Sequence, residues 1–138
     1  MGDVSDENVQ VVRNLMTAFN LRDLDDLLDL MDPEVEFFAP QTALSVERHA
    51  SYHGHDGIRQ YFEDVGTVWS RLHVIPQQFR SNASHVVALG TIVGERDEGH
   101  VDDDVAWAWK LRDGKIVWGR VYQDPGEALA DAGIDSQQ

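Results

Sequence analysis

Residues 105–124 read VAWAWKLRDGKIVWGRVYQD. Large and small residues alternate at the start: Val105, Trp107 and Trp109 on one side, Ala106 and Ala108 on the other. A period of two is that of a strand. Asp113-Gly114 interrupts the alternation, and Asp-Gly between two such runs is a strong short-range hairpin signal. Two registers follow. If Arg112-Asp113-Gly114 is a three-residue turn with a glycine bulge, Leu111 pairs with Lys115. Val105, Trp107 and Trp109 then share the inner face with Val117, Gly119 and Val121. A two-residue Asp-Gly turn instead sets Trp109 beside Trp118. In both cases the two indoles face the same way.

Working back from this hairpin, the period stays at two over residues 101–111, 85–95 and 74–80. Pro76 marks the last of these as an edge strand or a bulged one. Upstream the period becomes helical. Ile58, Tyr61, Phe62, Val65, Trp69 and Leu72 form one stripe and predict a long helix over about 56–72. Val9, Val12, Leu15, Met16 and Phe19 predict another over about 6–20, with Ser5 as its N-cap. Asp23, with Asp26 three residues on, predicts the cap of a short helix whose buried stripe is Leu24, Leu27, Leu28 and Met31. Residues 35–38 read as a short strand closed by Pro40, and 41–53 as a loop over an opening. Asp124-Pro125-Gly126-Glu127 predicts a capped helix over about 125–132. Helices followed by a meander of strands make an α+β fold. A strongly bent antiparallel sheet, forming a cone around the long helix, buries both kinds of element in a single domain over 1–138, ordered from about 6 to 132.

Composition bounds the function. The chain has 138 residues with 25 Asp and Glu against 11 Lys and Arg, a formal charge of −14. Such a surface repels phosphate backbones and anionic membranes, so neither nucleic acid nor a membrane is expected as partner. No apolar run approaches the roughly 20 residues of a membrane helix. The acidic start MGDVSDEN has no secretory character, and cysteine is absent. A cytoplasmic location is the expectation.

Three stretches, ENVQVVRNLMTAFNLRDLDDLLDLMDPEVEF, YHGHDGIRQYF and LRDGKIVWGRVYQDPGEALADAGI, together resemble the SnoaL-like branch of the nuclear-transport-factor-2-like superfamily. The resemblance implies a cone with a pocket between bent sheet and helices, and it favours the bulged turn. It also implies a range of activities, since this fold hosts several enzyme types and binders. The acid, base and oxyanion positions of ketosteroid isomerases fall near Trp107, at Phe38 or Ala39, and near Leu15, which argues against that reaction. The Asp-Arg-Asp set of limonene-type epoxide hydrolases falls near Thr91, Val93 and Val121, which argues against that one. The acid/base of SnoaL-like polyketide cyclases matches Asp124, a residue that reads better as a helix cap.

The pocket expected from this alignment is apolar and lined by Phe38, Tyr61, Trp69, Val93, Trp107, Trp109, Gly119 and Val121. It suits a hydrophobic cyclic small molecule. Gly119 is expected to leave room for a ring against the indoles. Glu36 is a candidate acid or base: it either points into the pocket with Phe38, where burial would raise its pKa, or points to water. Asp103 shares parity with Val105 and Trp107 and is a second candidate at the rim, unless Asp102-Asp103-Asp104 is merely a solvated strand start. His53, His55 and Asp56, with His49 nearby, have the side chains of a zinc or iron site but not a ligand spacing that requires one, and no metal or cofactor is expected. Ile116, Trp118 and Tyr122, beside Ala106 and Ala108, predict an apolar outer face that pairs in a homodimer.

Overall fold

The alternating runs fold as expected into four long strands. They are β3 (Arg71–Ser81), β4 (His85–Arg96), β5 (Gly99–Arg112) and β6 (Lys115–Tyr122), paired antiparallel in chain order. The computed structural model describes residues 4–134. β1 (Met31–Phe38) joins the far side of β6, and the two-residue β2 (Tyr52–His53) joins β1, giving the order β2-β1-β6-β5-β4-β3. The sheet curls without closing. It is not wholly antiparallel: β1 runs parallel to β6, Phe37 opposite Gly119. β3 is an edge strand and also bulges between Pro76 and Gln78.

The central hairpin turns on two residues, not three. Asp113 and Gly114 have φ of 54° and 77°, so Arg112 pairs with Lys115 and Leu111 with Ile116. Positive φ at both central positions is the geometry that Asp-Gly supplies. The extra residue sits further along, where the register shifts past Val117. Trp109 then pairs with Gly119 and Trp107 with Val121. This bulge restores the expected inward facing of both indoles by a different route. It also exchanges two neighbours: Ile116 is fully buried in the core, and half-buried Val117 faces outward.

Two helices, α1 (Val4–Leu21) and α4 (Gly54–Val68), pack their apolar stripes on the inner face of the sheet. Ser5 lies inside α1, where its hydroxyl meets that of Ser81. The short α2 (Leu24–Asp29) is capped as expected, Asp23 accepting from the Asp26 N–H at 3.1 Å. α4 stops earlier than its stripe suggested. Trp69 turns to extended backbone and Leu72 belongs to β3, yet both stay buried. The span read as a loop contains a helix, α3 (Pro40–Ser45), with proline in its first turn.

α5 (Pro125–Ala132) lies on the outer face, with the Asp124 carboxylate accepting from the Gly126 N–H at 2.8 Å. Ala128, Leu129 and Ala132 form a second core with Val87, Ala106, Ala108 and Tyr122. The close approach that Ala106 and Ala108 permit is therefore made by α5 of the same chain. Of the apolar face expected to pair between copies, Ile116 has gone inside, Tyr122 lies beneath α5, and Trp118 remains half-buried. Among the described residues no helix is long and apolar enough to cross a membrane.

Candidate functional site

Two clusters of aromatic residues divide the interior of the cone. On one side Trp109 lies flat on Gly119, because β6 offers no side chain there. A methyl group at Gly119 would overlap the indole ring. Phe37, paired with Gly119 from β1, stacks with Trp109, with ring centroids 5.5 Å apart and planes 6° apart. Tyr61 meets Phe37 edge-on at 5.0 Å and stacks with Phe19 at 6.0 Å. This half is nearly filled: a void of about 40 Å³ remains among Leu15, Phe37, Ile58, Tyr61, Trp107 and Trp109. The room expected above Gly119 is filled by Trp109 itself.

The other half is open. A cleft of about 540 Å³ runs from Tyr61 outward over Leu72, Ile92, Val105, Trp107 and Val121. Its wall is α3 together with Trp69. Trp69 is seated on Gly94, where a methyl group would stand 2.8 Å from the ring. Its indole N–H donates to the Thr42 hydroxyl at 3.0 Å. Arg96 lies over the same ring at 5.0 Å and donates to the Ser45 hydroxyl at 2.7 Å. Thr42 and Ser45 both belong to α3, so these bonds pin the helix to β4 and give the wall a fixed position.

Polar groups concentrate at the mouth, where Gln41, Arg120, Gln123, Asp124 and Glu127 line the opening. Among the described residues that line the cleft, the titratable ones besides those at the mouth are Tyr122 and, on α4, Tyr61. Burial, with Tyr52 nearby, pushes the Tyr61 phenol well above the ordinary value against the opposing charge of Arg22, so the hydroxyl keeps its proton. The buried carboxylate of this region, Asp64, does not line the cleft. It accepts from Arg48 Nε at 3.0 Å, the Tyr52 hydroxyl at 2.8 Å and Gln60 Nε2 at 2.9 Å. Burial alone would raise its pKa, but these three donors and the Arg48 charge outweigh it and hold it below the usual carboxylate range. Asp64 is thus a structural anion that ties α4 to β2 and to the segment after α3, not a base poised for proton transfer.

The candidates read from sequence separate accordingly. Tyr61, Trp69, Trp107 and Val121 come together in the cleft. Trp109 and Gly119 lie in the nearly filled half. Phe38 is on the outer face, 6.5 Å from Trp118 and beneath Arg120, and Phe37 takes the inward position. Val93 also faces outward, opposite His73 and Asp102, while its neighbour Ile92 lines the cleft. Glu36 points to water on the outer face, 4.0 Å from His53. Asp103 has the inward parity of Val105 but is exposed at the strand start, outside the cleft lining. Neither carboxylate can act in the cleft from there. Asp124 both caps α5 and lines the mouth.

His53 pairs with Glu34 at 3.1 Å, His55 with the Met31 carbonyl at 3.0 Å, and Asp56 with Arg59 at 2.7 Å. These partners pull the three apart in use, and no described group of three or more such side chains could hold a metal. The sequence reading missed α3 and Thr42. The available signal was Pro40 after an extended residue, an ordinary helix opening. It also missed Asp64, whose partners lie on three separate elements.

A SnoaL-like domain model matches residues 12–118. No curated protein matches the chain. Solved structures share its architecture. An NTF2-like protein of unknown function from Burkholderia pseudomallei is 24% identical with a TM-score of 0.78, covering 91% of this chain and 97% of its own. TerC, co-crystallised with polyporic acid, is 25% identical with a TM-score of 0.78 over the same shares of the two chains. A candidate polyketide cyclase from Xanthomonas campestris is 18% identical with a TM-score of 0.75, covering 94% and 99%.

Proposed function

This chain belongs to the SnoaL-like domain family, and we propose that within it the chain binds a flat, mainly apolar cyclic small molecule between Trp69 and Trp107. The observation that carries this reading is the lining of the cleft: aromatic and aliphatic side chains inside, charged ones only at the mouth. An apolar cavity with few polar groups is the usual form of a small-molecule site. Its wall is held in advance by the Thr42, Ser45 and Arg96 contacts, so little ordering accompanies binding. The polyporic acid in the TerC crystals is consistent with an organic ring compound as ligand. Binding rather than catalysis is the better reading, because Glu36 and Asp103 lie outside the cleft and Asp64 is already saturated with donors.

A second reading rests on Asp124, whose carboxylate lines the mouth. One oxygen serves the Gly126 cap; the other is the candidate for a cyclase-type proton transfer.

Tryptophan emission tests the main reading. Titration with 9-fluorenone, a flat tricyclic ketone, gives saturable quenching in the parent protein. Val121→Phe fills the cleft from the β6 side and loses it, with the fold retained by circular dichroism. Quenching that never saturates in the parent, or that persists unchanged in Val121→Phe, contradicts the reading.

A further inference from the structure

A sheet that curls without closing keeps two edges, here β2 and β3. β2 is two residues long, whereas β3 runs for 11. A long edge presents a row of N–H and C=O groups that another chain can pair with. In an antiparallel ladder these outward groups belong to every second residue. Val74 bonds outward, away from β4, so Leu72 and Pro76 on either side of it share that orientation.

The chain covers each of these positions from α1. Asn20, in the last turn of α1, accepts from the Val74 N–H through Oδ1 at 2.9 Å and donates from Nδ2 to the Val74 carbonyl at 2.8 Å. One side-chain amide thus makes both bonds that a residue of an adjacent antiparallel strand would make. Arg22 donates to the Leu72 carbonyl at 2.6 Å and to the Phe19 carbonyl at 2.5 Å. Pro76 has no N–H to offer, and β3 bulges directly after it. The backbone at Arg22 shows that this cover is kept against a cost. α1 ends with the Arg22 N–H on the Phe19 carbonyl and the Asp23 N–H on the Ala18 carbonyl, a closure that puts Arg22 in the left-handed region, with φ of 55°. Glycine suits that position best. Arginine there supplies the side chain that reaches β3.

We infer that the end of α1 is a built-in cover for the β3 edge, with Asn20 standing in for a neighbouring strand, and that the edge it hides fits the β3 of a second copy. The hidden edge is self-complementary. A two-fold axis at Val74 sets Val74 opposite its mate, and the two exchange both bonds. The same axis puts Leu72 opposite Pro76, His73 opposite Ile75 and Arg71 opposite Gln77, so no like charges meet. Ile75, 45% exposed, adds apolar surface beside the axis. This edge is separate from the outer face around Trp118, since β4 and β5 lie between β3 and β6.

The test removes the cover and follows the mass of the full chain by sedimentation across protein concentration. Asn20→Ala with Arg22→Gly uncovers Leu72 and Val74 while giving the helix end a residue that suits its backbone. This variant reaches twice the parent's mass as concentration rises, and the parent does not. Asn20→Ala alone, which opens only Val74, does the same at higher concentration. Adding Ile75→Lys puts a charge on each edge strand close to its symmetry mate. It returns the mass to that of the parent without returning the stability lost, which separates edge pairing from general unfolding. Amide exchange gives a second reading. In the parent the Val74 N–H is protected, and in dilute Asn20→Ala it exchanges about three- to tenfold faster, the effect of one hydrogen bond. Folded variants that keep the parent's mass at every concentration overturn the inference. So does a doubling that Ile75→Lys leaves in place. An unprotected Val74 amide in the parent overturns it with no variant at all.

Discussion

Trp69 and Trp109 are seated in the same way and serve opposite ends. Each indole lies on a strand glycine, Trp69 on Gly94 and Trp109 on Gly119, and each is 5% exposed. The difference lies in what packs beside the ring. Phe37 stacks with Trp109 and fills that half of the cone. Trp69 is held at its edge by Thr42, with Arg96 over the ring, and it stands as a wall of the cleft. One device therefore builds both a filled core and a pocket, and the strand that supplies the second aromatic decides which. β1 brings Phe37 to Trp109. Beside Trp69 the chain brings α3, which joins it in one wall and leaves the cleft in front of it open.

The largest break in this comparison comes at Gly119. Gly119→Ala pushes a methyl group into the Trp109 ring, with the Phe37 ring also 3.2 Å from it. We expect a loss of about 3 kcal/mol, the upper end for overpacking, and a fall in melting temperature on the order of 10 °C. Gly94→Ala meets the Trp69 ring and the Arg71 carbonyl, each 2.8 Å from the added methyl group, and shifts the ring that walls the cleft. A loss of about 1–2 kcal/mol is expected in chemical denaturation, accompanied by weaker fluorenone binding. If the two glycines cost the same and binding is untouched, the two halves do not differ as described.

Asp64 sharpens the contrast from behind, since it anchors α4 without touching the cleft. Asp64→Asn should lower stability at neutral pH by about 1–2 kcal/mol and leave fluorenone affinity unchanged. The native pKa of Asp64 is depressed, so its contribution is complete above the unfolded value of about 3.9 and is lost as pH falls through the native one. Denaturation curves of parent and variant should converge below about pH 4. A gap that widens in acid would contradict the assignment. The smallest effect is expected at Asp124. Asp124→Ala removes a cap worth about 0.5–2 kcal/mol and should leave binding intact. Unchanged stability with altered ligand handling would favour the catalytic reading of that carboxylate.

The hairpin illustrates how far sequence carries. Trp107 and Trp109 had to share a face, since a strand alternates, and the structure keeps them together. The turn was open to two readings, and the resemblance favoured the three-residue one. The chain uses the two-residue turn and recovers the facing with a bulge at Val117, because the inward set has to match across β5 and β6 for the core to close. Nothing in the local pattern marks Val117 as the extra residue. Likewise Glu36 and Phe38 could not be oriented from so short an alternation. The longer β1, beginning at Met31 and paired with β6, settles that Val35 and Phe37 go in. Trp69 and Leu72 kept their burial although the helix predicted to carry them ends before both. A buried stripe survives a change of backbone when the next element covers the same core. What stayed hidden was the meeting of distant parts: α3 against Trp69, Asp64 with its three donors, and α5 over the face expected to pair with another copy.

A crystal structure of the parent protein with 9-fluorenone bears most directly on the division of the cone. The account predicts the ligand in the cleft, its rings against Trp69 and Trp107, and Trp109 unmoved on Gly119. A ligand that displaces Trp109 to lie over Gly119, with the cleft beside Trp69 empty, would contradict it.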